Sequence, residues 1–180
     1  MLRSPGARPA ATLTSAPSAV NRKHFIGLVI SLALTSATAA IGSRASLRAP
    51  EFYASLSRPE WAPPSWLFGP TWTVLYTLMA VAAWLVWRER GLRGARVALG
   101  LYAAQLVLNA LWSWLFFAWR RGALAQLEIV VLLVLIALTL AAFWRVKPLA
   151  GALLLPYLLW VAYAMALTFA IVRRNPGAFS

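Results

Sequence analysis

Five long apolar runs, each close to 20 residues and separated by short cationic breaks, dominate this chain and leave it few ways to fold. They cover about residues 25–42, 66–87, 97–119, 123–144 and 149–172. A bilayer core of about 30 Å takes roughly 20 apolar residues per helix, so each run is long enough to cross. In hydrocarbon the backbone must satisfy its own hydrogen bonds, which leaves helices or closed barrels, and these runs lack the strict alternation of a barrel strand. The fold class read here is an all-α integral membrane protein, a bundle of five transmembrane helices. Breaks of a few residues make sequential helices antiparallel, and an odd number puts the termini on opposite sides.

Composition agrees. Of 180 residues 62% are hydrophobic and 12% charged, and a mean hydropathy of +0.72 is too apolar for a soluble domain. The net charge of +13 rests on 17 Lys and Arg, grouped between apolar runs as loop charge rather than as a phosphate-tracking stripe, so no nucleic-acid partner is expected. Without Cys and with the single His24, thiolate zinc sites, iron–sulfur clusters and a histidine metal triad are excluded, and no metal site is expected. Basic residues on the N-terminal side outnumber those opposite by ten to seven, which favours an inside N-terminus.

Residues 1–22 hold Arg3, Arg8 and Arg22 among Pro, Gly, Ala, Ser and Thr without apolar periodicity, and are read as a basic disordered extension. Residues 23–175 form the membrane domain and 176–180 a tail. The first run also fits a secretory signal, with Arg22-Lys23 before an apolar Ile26–Leu34 and a small-residue Ala37-Thr38-Ala39. A retained first helix is the preferred reading. No half of the chain repeats the other, so an inverted-repeat transporter has no support.

Trp84, Trp87, Trp119 and Trp144 sit at run ends beside arginines and read as interfacial belt residues. Deeper aromatics share faces with polar groups. Gln105, Asn109, Trp112 and Phe116 fall at i, i+4, i+7 and i+11 of the third run, Trp72 and Tyr76 at i and i+4 of the second, and Trp160, Ala164, Leu167 and Thr168 on one side of the fifth. Such stripes suit either interhelical hydrogen bonding or a ligand pocket with flat walls. Pro156 lies inside the fifth run and predicts a kink that opens space beside Trp160. Glu128 stands about a turn and a half into the fourth, with Arg120, Arg121 or Gln126 as expected partners; structural pairing is preferred to proton relay. Gly91 and Gly94, among arginines, read as a turn.

The stretch from Arg58 to Tyr76, RPEWAPPSWLFGPTWTVLY, resembles the signature of the translocator protein or tryptophan-rich sensory protein (TspO/MBR) family. Gln105–Phe117 (QLVLNALWSWLFF), Leu124–Glu128 and Pro156–Trp160 (PYLLW) resemble it too, in order. The resemblance implies a five-helix bundle, usually a homodimer, in a bacterial cell membrane, with a pocket closed by the long first loop. It implies tetrapyrrole ligands such as protoporphyrin IX or haem, or other hydrophobic small molecules, and no obligatory cofactor. Carried over by motif, Tyr53, Trp61 and Pro63 belong to the lid, Trp72 and Tyr76 to the second helix, Asn109, Trp112 and Phe116 to the third, and Trp160, Ala164 and Leu167 to the fifth; Gln105 joins through its stripe.

A sensor or binding protein is the function expected, with light-dependent porphyrin degradation as the alternative, in which Trp72 and Trp160 would be catalytic, and a porphyrin or lipid carrier after that. Absence of a His, Cys or suitably placed Tyr ligand at pocket depth implies that haem is held by its macrocycle rather than through iron. Family members often end the fifth helix with Leu-Asn-Tyr and an Arg; here Leu167-Thr168-Phe169 lacks the Tyr, so sterol binding is not expected.

Overall fold

A computed structural model describes residues 19–47 and 49–179. It contains the helices α1 (Ala19–Ala45), α2 (Ala49–Ser55), α3 (Phe68–Gly94), α4 (Arg96–Ser113), α5 (Gly122–Val146), α6 (Pro148–Ala152) and α7 (Leu155–Arg174). Five stretches are long and apolar enough to cross a membrane: His24–Ala45, Ser65–Gly94, Arg96–Ala118, Gly122–Val146 and Pro148–Arg174. These are the five expected spans. Four of them run beyond the apolar run that announced them, because residues such as Arg and Ser continue a helix into the headgroup region without cost to its backbone bonds, and the third is shifted by one residue. The expected disordered extension falls mostly outside the described residues, while 19–22 are already helical and belong to α1.

Helix α1 packs on α3 and α4, and α5 packs on α4, α6 and α7. Lipid tails are as apolar as Leu, so close approach and interhelical hydrogen bonds hold such helices together. Small side chains provide the approach: Ala80 and Ala82 of α3 are fully buried. Ser31 Oγ donates across to the Ala80 carbonyl at 2.7 Å, and Thr35 Oγ1 lies 2.8 Å from the Tyr102 hydroxyl of α4. The main core adds Met79, Val86, Ile129, Leu132, Ile136, Phe143, Tyr157 and Val161, while Leu34, Val107, Leu127 and Leu159 face outward.

Two of the four expected belt tryptophans have another role. Trp84 Nε1 donates to the His24 carbonyl at 2.8 Å, with the Arg88 guanidinium 4.6 Å from its ring centre. Trp87 meets His24 edge-on and lies so close to Gly27 that a Cβ there would overlap its ring. Both pin α1 to α3. Trp119 and Trp144 remain about half exposed, as a belt residue would be.

The fifth span carries the expected irregularity at Pro156, a turn at Leu153 and Leu154, which keep right-handed helical backbone angles between two helical segments. Helix α6 ends at Ala152, and Pro156 stands in the first turn of α7, where no amide hydrogen is needed. Gly91 has φ +65 inside α3, a left-handed conformation that glycine takes without strain and that bends the chain among its arginines. The expected tail is docked: residues Pro176–Ala178 form a 3-10 turn, and Phe179 packs edge-on to Phe52 at 5.7 Å and beside Phe116 at 5.2 Å.

Gly27→Ala is expected to lower stability by about 1–3 kcal/mol, because the Trp87 ring must move from the place where it holds α1. Thermal unfolding in detergent checks this; an unchanged midpoint would show that the Trp87 contact is not tight.

Candidate functional site

Beyond Ser31 and Ala80 the two helices separate, and the space between them is the main cavity. It has a volume of about 540 Å³ and is walled by the second half of α1, the start of α3, the end of α4 and the following turn, and α7 from Trp160 to Ile171. Helix α2 and the 3-10 turn Ser65–Leu67 close it at the loop side, through Tyr53 and Ser65. Aromatic faces dominate. Trp112 and Phe116 stack at 5.0 Å and 13°, Trp72 and Tyr76 at 5.3 Å and 30°, and Trp160 meets Phe68 edge-on at 6.0 Å. Among the described residues no Asp, Glu, Lys, Arg, His, Cys or Met borders the cavity.

Eight of the twelve expected ligand residues line this space: Tyr53, Trp72, Tyr76, Trp112, Phe116, Trp160, Ala164 and Leu167. The other four do not. Gln105 and Asn109 point into the bundle, where both Asn109 amide atoms and Gln105 Oε1 are hydrogen-bonded while Gln105 Nε2 has no partner among the described residues. The Tyr76 hydroxyl donates to Asn109 Oδ1 at 2.6 Å, Asn109 Nδ2 donates to the Tyr157 hydroxyl at 3.1 Å, and that hydroxyl donates to Gln105 Oε1 at 2.8 Å. The chain of bonds joins α3, α4 and α7 and holds Tyr76 against the cavity wall. Both alternatives for the stripe are therefore present on one helix, with the amides as glue and the rings as wall.

Trp61 stacks edge-on with Tyr163 at 5.7 Å and is half exposed. Pro63 borders a shallower apolar groove of about 670 Å³ between α3 and α7, on the far side of Trp160, which borders both spaces. The lid is thus anchored to the outside of α7.

That anchoring is polar and specific. Tyr163 Oη donates to the Trp61 carbonyl at 2.9 Å. Asn175, just past α7, accepts from the Ser57 amide at 2.8 Å and donates to the Ser57 carbonyl at 2.9 Å, a pair of bonds like one rung of a sheet. Within the lid, Tyr53 Oη donates to the Pro63 carbonyl at 3.0 Å. Burial pushes the Tyr53 phenol above its ordinary value, partly offset by the neighbouring Arg58 guanidinium, so it keeps its proton and this bond until strongly alkaline pH.

Helix α1 was the part of the site that sequence reasoning missed. Thr35, Ser36, Ala39, Gly42, Ser43 and Ser46 line the cavity, and the small residues of this run were the available signal. The expected partner of Glu128 is also absent. Glu128 faces inward beside Ala125 and Ile129, and neither carboxyl oxygen has a hydrogen-bond partner among the described residues. Arg120, with φ +52, lays its guanidinium over the Phe52 ring at 4.6 Å instead, and Arg121 is exposed at the start of α5.

The lid, the aromatic cavity and the order of motifs meet in a single comparison. The profile of the TspO/MBR family matches residues 25–174. The chain belongs to the TspO/MBR family. A translocator protein of Homo sapiens is 41% identical over 128 residues, covering 70% of this chain and 76% of the relative. A tryptophan-rich sensory protein of Cereibacter sphaeroides is 41% identical over 144 residues, 80% of this chain and 88% of the relative. The tryptophan-rich protein TspO of Chlorobaculum tepidum is 37% identical over 159 residues, 86% and 99% respectively. With its five spans, this TspO/MBR protein is an integral, multi-pass membrane protein.

Tyr157→Phe leaves Gln105 Oε1 and Asn109 Nδ2 without a partner, and an expected loss of about 1–2 kcal/mol, in the range of interhelical hydrogen bonds, is read from unfolding in mixed micelles. Asn175→Ala should raise hydrogen–deuterium exchange at the Ser57 amide and through residues 53–63 while leaving α3 and α5 protected; unaltered lid exchange would show that Asn175 does not fasten it.

Proposed function

We propose that this protein is a membrane-embedded receptor for tetrapyrroles, protoporphyrin IX or haem, held in the cavity between α1, α3, α4 and α7 beneath the lid. The observation that carries the reading is the wall of flat rings, Trp72, Tyr76, Trp112, Phe116 and Trp160, around a cavity of about 540 Å³. That volume lies within the range of small-molecule sites, and planar walls favour a planar macrocycle through offset stacking. Among the described residues the lining offers iron no imidazole, thiolate or thioether, and the phenols of Tyr53 and Tyr76 already donate to Pro63 and Asn109, so haem is held here by its ring and metal-free porphyrin fits equally. The sensory name of the relative from Cereibacter sphaeroides agrees with a binding role.

The position of Trp72 and Trp160 favours a second reading. Both indoles border the same cavity, so a bound ring touches two electron donors. On illumination an indole gives one electron to the excited macrocycle, leaving an indole radical cation and a porphyrin radical anion. Dioxygen then takes the electron as superoxide, and oxidation of the porphyrin follows from those products. This reading makes the protein a light-dependent porphyrin-degrading catalyst as well as a receptor.

Titration of the purified protein in the dark is expected to quench Trp fluorescence saturably. Trp112→Ala should weaken the affinity about ten-fold, the loss of about 1.4 kcal/mol of ring contact. A non-saturating response, equal to that of empty micelles, would reject the receptor. In light, decay of the porphyrin absorbance that disappears in Trp72→Phe or Trp160→Phe while dark binding survives would establish the second reading; equal decay in wild type and variants would remove it.

A further inference from the structure

Arginine accumulates where α3 gives way to α4, at the end of the bundle away from the lid. Arg88, Arg90, Arg93 and Arg96 fall within nine residues, and the single residue Ala95 separates the two helices. Gly91 bends the chain in the middle of this group. All four arginines are exposed, as is Arg145 in the last turn of α5. Lys147 reaches from the α5–α6 junction to Glu89 at 3.3 Å, so the two helix junctions stand side by side.

The chain cannot neutralise this group from within. It has four acidic residues. Glu51 belongs to α2 and Glu60 to the lid, both at the other end; Glu128 is buried in the bundle; and Glu89 is already held by Lys147, the one ion pair among the described residues. Like charges this close repel one another, so the balancing anions come from outside. The surroundings select their kind. The spans Ser65–Gly94 and Arg96–Ala118 meet here, which sets the arginines at the level of the lipid phosphates, and the half-exposed Trp144 marks the same layer. Leu92 and Val97, among the arginines, are each 68% exposed, and Leu149 is exposed next to the Lys147 junction. Guanidinium groups interleaved with bare apolar side chains suit a molecule that has both a phosphate and an acyl chain. Basic clusters directly beside a span draw anionic lipid, and a guanidinium meets a phosphate bidentately.

We infer that the arginine group at the α3–α4 junction binds the headgroups of anionic phospholipids in the leaflet at this end of the bundle, with Leu92 and Val97 against their acyl chains. Lipid that binds the folded bundle stabilises it by mass action. The site is remote from the cavity and its lid, and the inference does not depend on what the cavity holds.

Phosphatidylglycerol and phosphatidylcholine with the same acyl chains are the probes, added to the purified protein in neutral detergent and followed by native mass spectrometry and by the unfolding midpoint. Wild type should hold phosphatidylglycerol about ten-fold more tightly and take a higher midpoint from it than from phosphatidylcholine, and both differences should shrink as salt is raised. Arg90→Gln, Arg93→Gln and Arg96→Gln together should remove most of the preference. Arg121→Gln, Arg173→Gln and Arg174→Gln, which delete the same charge at the lid end, should leave it in place. Equal retention of the two lipids by wild type would overturn the inference, and so would an equal loss in both triple variants, which marks net charge rather than a site. Glycerol phosphate without acyl chains should raise the midpoint little; a rise as large as that from the lipid would assign the arginines to free phosphate and overturn the lipid site. The wild-type comparison and its salt dependence need no variant, so a triple variant that failed to fold would not protect the idea.

Discussion

In hydrocarbon an apolar side chain gains little by leaving lipid for protein, so a bundle like this one hangs on the few polar groups that have nowhere else to go. The bonded series from Tyr76 through Asn109 and Tyr157 to Gln105 is the center of that arrangement. It fixes the rotation of α3, α4 and α7 about their own axes, and with it the direction in which Trp72, Trp112 and Trp160 present their rings. Of these four polar residues only Tyr76 borders the cavity, so its shape is set largely from behind the wall.

The bundle is divided along its length. In one half Trp84, Trp87, Gly27 and the Ser31–Ala80 bond keep α1 against α3; in the other the helices part and leave the cavity. Of the backbone irregularities, the bend at Gly91 lies beyond the closed half, and the π-helical segment lies at the open end. The π-helical segment Trp114–Ala118 closes α4 with a wider turn, a local change of pitch that often accompanies functional sites, and brings Phe116 under Trp112. The turn before Pro156 separates α6 from α7, the helix that carries Trp160.

Fold and family were legible in the sequence because both rest on long-range repetition: five runs of sufficient length and several motifs in order. Most of the cavity wall was legible as well, since 3.6-residue periodicity puts Trp112 with Phe116 and Trp160 with Ala164 and Leu167 on common faces. Periodicity cannot tell which part of a face meets a neighbour and which meets a void. That is why Gln105 and Asn109 share a stripe with cavity residues without bordering the cavity. The role of α1 was hidden for the opposite reason, because Ser36, Ala39 and Ser43 have no chemical mark beyond small size. Glu128 and Arg120 show a further limit: nearness in sequence suggested a pair, but a helix start separates them and the Phe52 ring competes for the guanidinium.

The lid fastenings lie apart from the surfaces that a ligand would touch. Asn175 and Tyr163 grip Ser57 and Trp61 from the outer side of α7, and none of these four residues borders the main cavity. Loosening such a grip lowers the barrier to arrival and to departure alike, and leaves the difference between the free and occupied states untouched. How tightly a ligand is held there and for how long would thus be set by different residues, and dwell time could be altered without altering preference.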